Sequence, residues 1–183
     1  MTTIRMTPAA ERLLSAASDL FYNRGIHAVG VDLIAEVAGT TKKTLYDRFG
    51  SKDALVALYL RRRFERWRAH VETWLAEHGR GPVQALDALE AWLGANTCGC
   101  AFVNAHAELG RADHPAIAVI RAEKQWMREL YERLAEEAGA PAGVGAQLHL
   151  VHEGAIICFA VAAQPDALAN AKAAARNLLG TAG

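Results

Sequence analysis

Three groups of residues in this chain carry side chains able to do chemistry. The first is GTTKKTLYDRFGSKDAL, residues 39–55, which brings three threonines, three lysines, a tyrosine and an arginine into one stretch. Hydroxyls, and backbone N–H groups at a helix N-terminus, suit phosphate oxygens; lysines neutralise backbone charge and reach guanine acceptors; a tyrosine hydroxyl bonds a phosphate at a groove edge. The second is HLVHEG, residues 149–154, where His149 and Glu153 stand one helical turn apart with His152 nearby. That spacing suits a metal-ligand pair or acid/base work. The third is Cys98-x-Cys100, too close and too isolated for a zinc ribbon built from Cys-x-x-Cys pairs, which leaves thiol chemistry. No Ser/His/Asp arrangement, glycine-rich phosphate loop or carboxylate pair stands out. The chain reads as a non-enzyme with no cofactor and no metal, and helix packing is a sufficient account of HLVHEG.

The elements that must position these groups are helices. Apolar residues recur at three and four, and alternating runs are short, which gives an all-α fold class. Thr7 caps a first helix with Pro8 at its first position; Leu13, Ala17, Leu20 and Phe21 line one face, and Gly25 ends it. A short helix follows from about Val31 to Ala38, with Gly30 as a permissive cap and Gly39 as the stop. The next runs from Thr40 or Thr41 to about Phe49, and Ser51 caps a long helix from Lys52 to about Glu77. Leu60, Phe64, Trp67, Val71 and Trp74 form its buried stripe. Further helices are expected at about Val83–Gly94, Phe102–Leu109, Pro115–Ala138, Val144–Ala163 and Asp166–Leu179, with loops at Gly110–His114 and Ala138–Gly145.

Charge is distributed unevenly. Twenty Lys/Arg balance twenty Asp/Glu overall, yet residues 1–70 hold twelve basic against seven acidic side chains, a local charge of +5 that the remainder offsets. A basic first segment on an acidic remainder points to a polyanion that meets only the first part. No apolar run approaches the roughly 18–20 residues needed to span a bilayer, and MTTIRMTPAAERL lacks a secretory h-region, so a cytoplasmic protein with no membrane partner is expected. Three cysteines, Cys98, Cys100 and Cys158, form no disulfide framework and read as free thiols.

Two short helices joined through Ala38-Gly39-Thr40, the second rich in hydroxyls and lysines, match a helix-turn-helix whose second helix enters the major groove. Leu33, Ile34, Val37 and Leu45 are then the core side of the pair. The ordered string VDLIAEVAGTTKKTLYDRFGSKDALVALYL carries more. It contains Ile34-Ala35, Ala38-Gly39, Thr41-Lys42, Thr44-Leu45-Tyr46, Phe49 and Ser51-Lys52-Asp53-Ala54-Leu55, and in this order it resembles the DNA-binding domain of the TetR family of transcriptional regulators. The resemblance covers about residues 8–60. It implies a three-helix DNA-binding domain, residues 1–51, followed by a larger helical ligand-binding and dimerisation domain, residues 52–183. It also implies DNA contacts from Thr41, Lys42, Lys43, Thr44, Tyr46 and Lys52, with Tyr46 and Lys52 on phosphates and Lys42, Lys43 and Thr44 nearest the bases. Three positions depart from the family's habit: Lys43 stands where glycine is common, Asp47-Arg48 where His-Tyr is common, and Gly30 where a capping Ser or Thr is common.

For the larger domain, GCAFVNAHAELGRADHPA, residues 99–116, resembles a family segment that borders the ligand cavity. This makes Phe102, Asn104 and His106 candidate pocket walls, and Trp92 and Trp126 are aromatic candidates beside them. Residues 154–163 are apolar almost all round, which calls for burial on a second side, and a homodimer supplies one. The expected function is a homodimeric repressor on a pseudo-palindromic double-stranded DNA operator. A small, largely apolar effector would release it, with the fourth helix as lever; the alternatives are a thiol response through Cys98/Cys100 or a helical enzyme using His149, His152 and Glu153.

Overall fold

A computed structural model describes residues 6–95, 98–110 and 113–180. Among the described residues the secondary structure is wholly helical: α1 Pro8–Arg24, α2 Val31–Val37, α3 Lys42–Phe49, α4 Lys52–His78, α5 Pro82–Ala95, α6 Ala101–Leu109, α7 Pro115–Glu137, α8 Val144–Ala160 and α9 Ala167–Gly180. Residues 111 and 112 of the expected loop at Gly110–His114 lie outside the described residues. The helix α8 stops three residues before the expected end at Ala163. Val161 caps it with an N–H to the Ile157 carbonyl, and Ala163 takes a positive φ of 53°.

The chain divides into two compact units, Met1–Arg63 with Ala101–Arg121, and Phe64–Cys100 with Ala122–Gly183. In the first, α1 starts as its sequence dictates: the Thr7 hydroxyl accepts from Ala10 N at 3.3 Å, Pro8 opens the helix and Glu11 lies in the first turn. Ala10, Leu13, Ala17, Leu20 and Phe21 form its buried face, against which α2 and α3 pack. Ile34, Ala35 and Ala38 fill the α2 side of that contact and Leu45 and Phe49 the α3 side.

Val37 corrects the expectation that it joins this core: it is 57% exposed. At 100° per residue, Ile34, Ala35 and Ala38 define one face of α2, and Val37 falls about 100° away from its centre. Leu33 is only half-buried.

The second unit is built around Trp67, Val71, Leu75, Leu86, Leu89, Met127, Tyr131, Leu134 and Leu148, with α9 contributing Leu168, Ala171 and Ala175. Trp67 is deeply buried, as its spacing requires, and its indole N–H donates to Met127 Sδ at 3.2 Å. On the outer side of α9, Lys172 bridges to α5 through Asp87 at 3.0 Å and Glu90 at 2.8 Å. Gly145 marks a close approach of two helices in this unit. A Cβ there would sit 2.5 Å from Glu132 Cα and 2.9 Å from the Tyr131 carbonyl oxygen, so α8 begins in backbone contact with α7 and only glycine fits.

Candidate nucleic-acid interface

The turn between α2 and α3 is fixed before any ligand arrives. Gly39 takes φ 60°, the left-handed conformation that lets the chain reverse after α2. The Ala38 carbonyl accepts from Arg12 Nε at 3.2 Å, which ties the end of α2 back to α1. Thr41 then caps α3: its hydroxyl accepts from Thr44 N at 3.1 Å and shares a hydrogen bond with the Thr44 hydroxyl at 2.9 Å. By contrast, Gly30 gives α2 no side-chain cap, as its residue type requires.

With Leu45 and Phe49 buried, α3 turns Thr41, Lys42, Lys43, Tyr46, Asp47 and Arg48 outward and leaves Thr44 half-buried. Hydroxyls, ammonium groups and a phenol thus share one exposed helix surface, the arrangement that suits phosphate oxygens and base edges in a groove. The two lysines differ in electrostatics. Lys42 Nζ donates to Asp32 Oδ2 of α2 at 3.1 Å, whereas Lys43 forms no ion pair among the described residues. Lys52, expected on a phosphate, donates to the Ile26 carbonyl at 2.6 Å and lies over the Phe21 ring at 5.9 Å. Burial holds its pKa below the usual lysine value.

Glu108 completes this unit, and nothing in the sequence singles it out. From α6 its carboxylate accepts from Ile26 N at 2.9 Å and His27 N at 2.7 Å, so the peptide groups between α1 and α2 are held by Glu108 on one side and Lys52 on the other. No local signal reveals this pairing, because Glu108 and Ile26 are 82 residues apart in the chain.

The candidate effector residues divide between the units. Phe102, Asn104 and His106 lie on α6 in the first, Phe102 buried and the other two exposed. Trp92 and Trp126 lie in the second. Trp92 packs 5.3 Å from both Trp67 and His70, and Trp126 meets Phe64 edge to face at 5.8 Å. The HLVHEG residues also separate. His152 is buried, its Nδ1 3.0 Å from the Tyr131 hydroxyl, and burial holds its pKa down at about 3. Glu153 faces Lys124 of α7 instead, where Lys124 Nζ meets its Oε1 at 2.8 Å and Oε2 at 2.9 Å, and His149 Nε2 lies 3.4 Å from Glu153 Oε1. Among the described residues no group of three or more His, Cys, Asp or Glu is placed to hold a metal. The cysteines Cys98, Cys100 and Cys158 are half-buried thiols that form no disulfide among the described residues.

Comparison with known proteins agrees with this geometry. The profile of the bacterial regulatory proteins of the tetR family matches residues 13–59. A TetR-family transcriptional regulator from Streptomyces coelicolor shares the fold at a TM-score of 0.84, with 27% identity over 96% of each chain. A TetR-type transcriptional regulator from Streptomyces avermitilis aligns at a TM-score of 0.78 with 30% identity, covering 97% of this chain and 98% of that one. The HTH-type transcriptional activator FasR of Mycolicibacterium smegmatis is 49% identical over 51 residues, a match that spans 28% of this chain and 23% of FasR. Carrying the family's N-terminal segment and matched along nearly its whole length by a regulator 30% identical to it, the chain belongs to the TetR family of bacterial DNA-binding transcriptional regulators.

Proposed function

We propose that the protein is a cytoplasmic, homodimeric repressor that binds a pseudo-palindromic operator through α3 and leaves it when a small, largely apolar molecule enters the larger helical domain, residues 52–183. Thr41, Lys42, Lys43, Thr44 and Tyr46 make the DNA contacts, and Lys52 acts through the Ile26 carbonyl while its remaining protons face phosphate. Phe102, Asn104, His106, Trp92 and Trp126 are the effector-side candidates. The observation that carries the reading is the exposed surface of α3, whose polar residues have so few internal obligations. No helix among the described residues is long and apolar enough to cross a membrane.

Dimerisation draws its support from α8. Leu150, Ile157 and Val161 are 71%, 42% and 75% exposed, and with Gly154 they form one stripe at helical spacing, an apolar surface that needs a cover. A two-fold symmetric dimer suits paired half-sites roughly 34–36 Å apart or a multiple of that spacing. Leu150→Glu should therefore give a monomer in sedimentation velocity and weaken operator binding by roughly tenfold or more, since one half-site loses its partner. A dimer that survives Leu150→Glu together with Ile157→Glu would refute this interface.

One contact favours a second trigger. Lys124 Nζ lies 3.6 Å from Cys100 Sγ, and a neighbouring ammonium stabilises a thiolate. Under this reading iodoacetamide releases DNA from the wild type and not from Cys100→Ser or the Cys98→Ser/Cys100→Ser double variant. Equal release from all three would exclude it.

A further inference from the structure

Between α7 and α8, inside the second unit, a charged cluster interrupts an apolar interior. Glu123 occupies the same stripe of α7 as Met127, Leu130, Tyr131 and Leu134, each of them buried, and is itself only 3% exposed. A carboxylate in such a register costs several kcal/mol unless it is fully paired. It is not. Its Oε2 is buried and accepts no hydrogen bond, although Lys124 Nζ lies 3.2 Å away. The three hydrogen bonds of Lys124 go elsewhere, to Glu153 Oε1, Glu153 Oε2 and Cys100 Sγ. His149 Nε2 is likewise buried without a hydrogen bond, 3.4 Å from Glu153 Oε1.

The group therefore has buried acceptor capacity at Glu123 Oε2 that the hydrogen bonds of Lys124 to Glu153 and Cys100 leave unfilled. It also carries two carboxylates against one ammonium. The side chains of Lys124 and Glu153 remain 25% exposed, so the cluster has an edge that a small molecule can reach. A ligand placing a protonated nitrogen here balances the charge and satisfies Glu123 Oε2. A ligand carrying a carboxylate or phosphate adds a third anion in a poorly solvated place.

We propose that Glu123, supported by Glu153 and Lys124, is the polar anchor of the effector site, and that the effector is an amphiphile pairing an apolar body with an N–H cation rather than with an anion. This rests on the reading that a small, largely apolar molecule releases the protein from DNA. The geometry assigns the polar end, and the apolar body packs beside it.

Three probes with the same eight-carbon tail and different heads test it: octylamine, 1-octanol and octanoate, titrated at pH 8, where Glu123 is ionised, into the full chain and into Glu123→Gln by isothermal calorimetry. The amine should bind at least roughly tenfold tighter than octanoate, and Glu123→Gln should reduce that preference to under about threefold. Binding of 1-octanol should be equal in the two proteins, which reports that the variant is folded with its apolar site intact. Octanoate matching or exceeding octylamine, or an amine preference that survives Glu123→Gln, overturns the inference while leaving the apolar-effector reading in place. Failure of all three probes to bind overturns both.

Discussion

Lys43→Glu is expected to weaken binding to a selected operator by about 100-fold at physiological salt and to flatten the log–log salt dependence by about two, roughly 0.9 for each phosphate that is no longer neutralised. A homodimer carries the substitution twice, so a weakening of about tenfold per copy suffices. Lys43 is the sensitive position because nothing in the described structure offsets its charge, whereas the ammonium of Lys42 is held 3.1 Å from Asp32. Lys42→Ala should therefore cost less than Lys43→Ala. Asp32→Asn, which releases Lys42 and removes an anion from the same surface, should strengthen binding by a few fold. Fluorescence anisotropy over a range of KCl concentrations measures all four variants. A Lys43→Glu protein with wild-type affinity and salt slope would remove α3 from the groove.

Glu123→Gln is expected to stabilise the protein by about 3 kcal/mol at pH 8 and by less than about 1 kcal/mol at pH 5, read from urea unfolding. Burial raises the Glu123 pKa to about 7, with Lys124 opposing and Glu153 reinforcing the shift. The native state thus holds a proton that the unfolded chain releases near pH 4.5, so the contribution of Glu123 is intact below that value and is lost as pH rises through about 7. Glutamine cannot ionise and escapes the loss. Glu153 and His152 act in the opposite sense. Glu153 is held down at about 2, despite burial, by His149 beside it and by the Lys124 ammonium that donates to it, and burial holds His152 at about 3. Their stabilisation disappears as pH falls, His152 from about 6.5 to 3 and Glu153 from about 4.5 to 2. Both groups are shared by the two proteins and cancel in the difference. A variant with the same advantage at pH 5 and pH 8 would show that Glu123 does not ionise in the native state.

Much of the fold is legible in local signals, because helix ends are written in a few residue types. Thr7-Pro8, Gly25, Gly39 and Ser51 each stand at or beside the boundary they predict. The α3 surface is legible for the same reason, since Leu45 and Phe49 define its buried side and the polar residues follow. Val37 departs from expectation because apolar character alone does not decide the face of a two-turn helix; the angle from Ile34 and Ala38 does. Pairings between distant segments leave no local trace: Lys42 with Asp32, Lys52 with the Ile26 carbonyl, and Glu108 with the Ile26 and His27 amides depend on how helices pack. Glu123 is legible in principle, as a charge in the apolar register of α7, but its significance depends on which donors Lys124 has already committed.

Selection of bound sequences from a random duplex pool shows both whether α3 reads DNA and whether two copies read it together. An inverted repeat whose half-sites are centred about one helical turn apart, or a multiple of it, should be enriched. The enriched duplexes should lose affinity for Lys43→Glu protein. A pool that emerges without enrichment, or enriched duplexes that bind the Lys43→Glu protein as tightly as the wild type, would contradict that role for α3.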